Sequence, residues 1–295
     1  MNLKQLTYKA AGVMIRKLKL YNYIRLRSDN RPAFPYPVVF MCGDDGLRYI
    51  NACLTSIYLS WDKLPEIIIV SDGTPLARFE KELVKWPRKL EVIPWETCAN
   101  YFRDKGNADL FKYAVDEVFG KKMVSILYHA EKHPTLYCDT DVLWYSTPRE
   151  VDMTVSQPFI QMSTEAEEAC YSRDLLEHLG EQRCWQAKPF NAGLMYLNGD
   201  FSVYPKWKEL CHHLGHAPKN DKFAEQTTFA ILNNHFNAER YWSRSEVMIK
   251  TDDIYNLKYT GKYYPRIAAR HYVYTRPTAF WRDFAFMCAQ KNNWR

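Results

Sequence analysis

The stretch Pro134-Thr135-Leu136-Tyr137-Cys138-Asp139-Thr140-Asp141-Val142-Leu143 sets two carboxylates one residue apart at the end of an apolar run. Leu136, Tyr137 and Cys138 read as a buried strand running into a loop. In a strand, residues i and i+2 share a face, so Asp139 and Asp141 are expected to converge while Thr140 points away. Two like charges this close are costly to bury unless a cation joins them. A hard divalent ion with oxygen ligands resolves the conflict. The tripeptide alone is common in solvated turns. Its weight comes from its place after a hydrophobic strand.

Working outward, strands and helices alternate. Val38-Val39-Phe40-Met41 reads as a first core strand, ending in the turn-rich Cys42-Gly43-Asp44-Asp45-Gly46. Residues 47–60 follow as a helix with Ile50, Cys53, Leu54, Ile57 and Tyr58 on one face. The β-branched run at 66–70 lies between Pro65 and Ser71-Asp72-Gly73, as in a strand buried on both faces. A helix over 75–86, a strand at 90–93 and a helix over 107–119, opening near Asn107 or Asp109, come next. Beyond the paired acids, strands are expected near 192–197 and 247–250, and helices near 204–214 and 222–233. Residues 263–295 are aromatic and basic with little periodicity, and are expected to fold back over the site. The alternation predicts an α/β fold: a mixed, mostly parallel sheet flanked by helices, in one domain over 35–295, preceded by a basic amphipathic segment over 1–34.

Charge is distributed unevenly. Residues 1–31 hold eight basic side chains against one acid, so that segment carries +7 where the whole chain carries +6, and the remaining chain is nearly neutral at −1. That argues against a general nucleic-acid footprint. Residues 3–26 have the spacing of a basic amphipathic helix interrupted near Tyr21. Such a helix either rests on an anionic membrane surface, through residues 1–31, or packs on the protein with a solvated basic face. None of the eight cysteines forms a C-x-x-C pair, and several lie in apolar runs, which suits a reducing compartment. No secretory signal and no bilayer-length apolar run is apparent. The expectation is a cytoplasmic protein, peripheral on the cytoplasmic face of a membrane if the basic segment binds lipid.

Three further motifs follow the paired acids in order: Phe190-Asn191-Ala192-Gly193-Leu194, then Glu225-Gln226, then His271 with Arg276-Pro277. With Asp139-Thr140-Asp141, this series resembles the GT-A nucleotide-diphospho-sugar glycosyltransferases, nearest in pattern to the family 8 enzymes of glycogenin and galactosyltransferase type. Four matches in order are far less frequent by chance than any one. Two features depart from the family: Glu225 stands where an Asp is usual, and the late motif lacks the usual Gly and Lys-Pro-Trp.

The resemblance implies a Rossmann-like GT-A domain that transfers a hexose from a nucleotide-diphosphate sugar, UDP above all, to a glycan, lipid or other acceptor. It implies metal ligands at Asp139, Asp141 and His271, and a pair, Glu225 and Gln226, facing the anomeric carbon. An imidazole beside two carboxylates suits Mn²⁺ better than Ca²⁺, and the expected cofactor is Mn²⁺ or else Mg²⁺. Gly193 permits close approach of a ligand or backbone, and Asn191 offers donor and acceptor to a sugar hydroxyl. The nucleotide is expected at the carboxyl ends of the first strands, against Met41, Cys42 and Asp72, with Lys112 and Arg276 on the diphosphate. His212 and His216 stand at i, i+4, but no acid lies at a supportive spacing, so they read as a helix face.

A nucleotidyltransferase on the same type of sheet is the competing enzyme class. Its loop after the first strand is normally basic and Gly-rich, whereas Gly43-Asp44-Asp45-Gly46 is acidic and short. A non-catalytic glycan-binding relative is the other alternative, and the intact Asp139, Asp141 and His271 weigh against it. G-x-G-x-x-G and Walker loops are absent.

Overall fold

The computed structural model describes residues 3–27, 29–153, 157–164, 170–185, 189–216, 219, 221–236, 240–243, 245–249, 267–273 and 276–291. The elements in chain order are α1 (Leu3–Lys17), β1 (Val38–Cys42), α2 (Leu47–Ser60), β2 (Ile67–Ser71), α3 (Leu76–Glu82), β3 (Leu90–Pro94) and α4 (Trp95–Asp104). Next come α5 (Ala108–Asp116), α6 (Val118–Lys132), β4 (Thr135–Cys138), β5 (Val142–Trp144), β6 (Phe159–Thr164) and α7 (Arg173–His178). The remainder are β7 (Phe190–Asn198), α8 (Trp207–His216), α9 (Ala224–Phe236), β8 (Tyr241–Trp242), β9 (Val247–Ile249), β10 (Ala269–His271) and α10 (Trp281–Lys291).

A seven-stranded sheet has the order β3-β2-β1-β4-β7-β6-β8. Its pairs are parallel except where β7 joins β4 and β6. The mostly parallel sheet expected from the alternation is therefore present. Period-two side-chain alternation divides two cores. Val39, Val70, Tyr137, Met195 and Leu197 face one, under α4, α5, α6, α8 and α9. Phe40, Ile69, Leu136, Cys138, Leu194 and Tyr196 face the other, with α2. A second sheet, β5-β10-β9, closes that side.

The chain crosses from one sheet to the other at Asp139-Thr140-Asp141, after β4 and before β5. This corrects the expectation for the paired acids. They converge through a turn between two strands of different sheets, not through alternation within one strand. Asp139 is held at the large sheet by its N–H, which donates to Gly193 O at 2.7 Å, while Asp141 O accepts from Tyr272 N at 3.0 Å.

Three other expectations are corrected. The helix over 75–86 ends at Glu82, because Asn51 takes over the backbone: Nδ2 donates to Glu82 O at 2.7 Å, and Oδ1 accepts from Val84 N at 3.0 Å. The helix over 107–119 is capped at Asn107, whose side chain accepts from Leu110 N, but it breaks at the extended Glu117, and α6 starts anew. Gly120 of α6 lies so close to α5 that a Cβ there would meet Tyr113 O at 2.2 Å. Among the described residues the C-terminal region does return to the site, where His271 and Val273 line the cleft, but it is regular rather than irregular. Its β10 carries His271, and α10 packs on α1 and α2 instead.

Docking of α1 on α10 depends on Gly12, where a Cβ would lie 2.6 Å from the carbonyl of Trp281. Tyr8 and Phe286 meet edge to face at 5.0 Å. Beneath this contact the buried Asp283 accepts from Arg270 Nη1 at 3.0 Å, Tyr272 Oη at 2.8 Å and Arg282 Nε at 2.6 Å. That network fastens β10, and hence His271, to α10.

Candidate active site

Asp139, Asp141 and His271 meet at the crossing between the sheets. Each offers a ligand atom within 4.8 Å of the other two. His271 Nε2 lies 3.2 Å from Asp141 Oδ1 and 3.6 Å from Asp139 Oδ2. The opposite ring nitrogen, Nδ1, is 3.1 Å from Asn191 Oδ1. Asn191 Oδ1 also accepts the Gly193 N–H at 2.8 Å, so it is an acceptor and the hydrogen it shares with His271 sits on Nδ1. Nε2 is thereby turned toward the two carboxylates, and an outer acceptor on the far nitrogen is how metal-binding histidines are oriented. Two carboxylate oxygens and one imidazole are a donor set that can hold a divalent ion.

The cluster forms one wall of a cleft of about 340 Å³, within the roughly 300–1,000 Å³ of small-molecule sites. Met41, Asn191, Gly193, Glu225 and Gln226 line it too, so most residues singled out in the sequence come together. The reason for Gly193 differs from the one expected: a Cβ there would fall 2.1 Å from His271 Cε1, so the close approach it permits is that of the imidazole. Asn191 likewise serves His271 through its oxygen. Gln226 is engaged with backbone on both sides. Its Oε1 accepts from Ala192 N at 3.3 Å, and Nε2 donates to Cys170 O at 2.9 Å.

Lys122, on α6, is a site residue that none of the sequence motifs contains. Its Nζ lies 3.2 Å from Asp139 Oδ1 and 3.4 Å from Glu225 Oε1. Burial pulls the ammonium's pKa down, but Asp139 and Glu225 together hold it above the ordinary lysine value. The fully buried Glu225 carboxyl is pushed up to about 7, first by desolvation, with Lys122 opposing and Asp139 adding to the rise. Tyr137 Oη donates to Asp139 Oδ1 at 2.7 Å, completing that carboxylate's surroundings. A signal for Lys122 was present: it stands one turn before Ile126 and two before Ala130, on the helix's apolar face.

The remaining candidates lie elsewhere. Lys112 points away from the cleft, bonded to Asp116 at 3.2 Å and to Gly215 O, at the contact between α5 and the end of α8. Cys42 is buried and is not among the residues lining the cleft, with its Sγ 3.4 Å from Gly43 O. Asp72 shapes its own turn, accepting from Thr74 N at 3.1 Å and Thr74 Oγ1 at 2.9 Å. It packs over the backbone of Gly43, where a Cβ would meet its Oδ2 at 2.0 Å. The side chain of Arg276 lies outside the described residues.

The fold has solved counterparts. Mouse xyloside xylosyltransferase 1 superposes with a TM-score of 0.51 at 13% identity, over 82% of this chain and 99% of that one. The bifunctional glycosyltransferase WbbM superposes with a TM-score of 0.51 at 15% identity, over 90% of this chain and 51% of that one. No family model matches the sequence, and no curated protein does. The chain has the GT-A fold of these glycosyltransferases, as the order of its motifs implied.

Proposed function

We propose that this protein is a metal-dependent glycosyltransferase that moves a hexose from a nucleotide-diphosphate sugar, with UDP as the nucleotide, to a glycan or lipid acceptor. The observation that carries this reading is the convergence of Asp139, Asp141 and an imidazole whose far nitrogen is locked by Asn191. Asp139, Asp141 and His271 hold the cation, Mn²⁺ in preference to Mg²⁺ because one ligand is nitrogen. Bound there, the ion supplies Lewis-acid neutralisation of the departing diphosphate. Lys122 adds a second, buried positive charge directed at the same wall of the cleft, where a donor's phosphates or sugar hydroxyls would lie. For an inverting transfer Glu225 takes the acceptor hydroxyl's proton as general base, and for a retaining one the leaving phosphate oxygen takes it. Gln226 and Asn191 hold the wall against the sugar. The similarity to an enzyme named for xylosyl transfer to a xyloside supports a glycan acceptor.

The test is a screen of nucleotide-sugars for Mn²⁺-dependent hydrolysis and transfer. Asp141→Ala is expected to abolish turnover with circular dichroism unchanged. Full activity in that variant, or in excess chelator, sinks the metal-dependent reading.

The exposed face of α1 and the turn after it support a peripheral membrane contact. Leu6, Met14 and Leu18 stand exposed, with Lys17 and Lys19 beside them. Among the described residues no helix is long and apolar enough to cross a membrane. Apolar side chains among cations match the interface of an anionic bilayer. Replacing Leu6, Met14 and Leu18 by Glu should release the protein from phosphatidylserine vesicles while donor hydrolysis persists. Retention on the vesicles discards the contact.

A further inference from the structure

Helix α8 presents His212 and His216 one turn apart, and the fold brings Asp109, from the first turn of α5, against both. His212 Nδ1 lies 3.3 Å from Asp109 Oδ2, and His216 Nδ1, 2.9 Å from His212 O, lies 3.5 Å from Oδ1, which leaves Nε2 of His216 as its ligating nitrogen. The two imidazoles face each other with centroids 4.3 Å apart and planes at 32°. One ligand atom from each of the three residues lies within 4.8 Å of the others. Ligands 2.0 to 2.2 Å from a tetrahedral zinc ion stand roughly 3.3 Å from one another. Small rotations of the two histidines, 63% and 50% exposed, cover that difference.

The backbones beneath are fixed. Gly215 lets α8 press on α5 so closely that a Cβ would meet Asp109 O at 2.8 Å. Lys112 donates to Gly215 O across the same contact. Asn107, which caps α5, reaches Cys211 Sγ at 3.2 Å. The three side chains therefore hang from a preformed scaffold. The acid that the sequence spacing lacked is supplied from 103 positions away.

We propose that Asp109, His212 and His216 form a second metal site, for Zn²⁺, separate from the cluster in the cleft. Two imidazole nitrogens and one carboxylate, with the remaining position open to water, are a zinc donor set. The ion ties the end of α8 to α5. His216 closes α8, and Lys222 and Phe223, which follow shortly after, line the cleft. A bare charge pair between Asp109 and the histidines is the competing account, and it takes up no metal.

Calorimetric titration with Zn²⁺ decides between them. The wild-type chain is expected to bind one more Zn²⁺ than the double variant His212→Ala/His216→Ala, whose fold is checked by circular dichroism. Asp109→Asn is expected to weaken that additional site at least tenfold. Equal stoichiometry in wild type and double variant overturns the site. Undiminished affinity in Asp109→Asn overturns its cross-helix character, leaving only the histidine pair. Neither readout depends on glycosyl transfer, so the outcome stands apart from the fate of the proposed activity.

Discussion

At the scale of single residues, the orientation of His271 is the most sensitive feature of the cleft. Asn191→Ala removes the acceptor that keeps hydrogen on Nδ1. Loss of such an outer partner typically costs about 10–100-fold in metal affinity, and Mn²⁺ titration calorimetry should read that loss. Asn191→Asp retains an acceptor and should retain most of the affinity. Wild-type binding by the alanine variant would remove Asn191 from its orienting role. Glu225 makes a prediction about pH. Its carboxyl is raised from 4.5 to about 7 in the folded chain. Between those values the folded state keeps a proton that the unfolded chain has released, so stability falls as pH rises through that window. The cost, about 3 kcal/mol when fully developed, is present above about pH 7. Glu225→Gln carries no such cost. In chelated buffer, urea unfolding should show the variant gaining on wild type from pH 4.5 to about 7 and then levelling off. A difference independent of pH would mean that the carboxyl ionises as it does in water.

At the scale of elements, α1 and α10 stand or fall together. Gly12→Val forces a branched side chain against the Trp281 carbonyl. Overpacking of this kind costs about 1–3 kcal/mol. Limited proteolysis is expected to cut within residues 3–20 sooner in the variant, while the central sheet resists as before. Elements with one periodic apolar face, such as α2, or a short β-branched run, such as β2, were legible in the sequence. Strand β6 was not, because Gln161, Ser163 and Thr164 are buried polar residues and hide its character. Their partners come from far away: Ser163 donates to Asn191 O at 3.1 Å, and Thr164 to Trp242 O at 3.2 Å. The site divides in the same way. Asp139, Asp141, Asn191, Gly193, Glu225 and His271 were recognisable as ordered motifs. Lys122 belongs to none of them: its place on the apolar face of α6 was the one hint, and its role shows only when the fold sets it between two carboxylates.

At the scale of the whole molecule, the cleft lies where two sheets meet. Asp139 follows a strand of the large sheet, whereas Asp141 and His271 border strands of the small one. A cation held by all three links the sheets and stabilises the folded chain by mass action, by about 2.7 kcal/mol at a hundredfold excess over its dissociation constant. Mn²⁺ should therefore raise the thermal midpoint of wild type but not of His271→Ala. An equal rise in both would assign the stabilisation to a different site.

The crossing between the sheets also bears on how this chain can change over generations. Surface loops tolerate added residues at little thermodynamic cost. Between Cys138 and Val142, by contrast, the Asp139 N–H is committed to Gly193 and the Asp141 carbonyl to Tyr272. A single inserted residue there would drive the two carboxylates away from each other or unpair a strand end. Length variants of this protein should therefore accumulate in its outer connections and be missing from these three positions, and a deep insertion scan would display that silence directly.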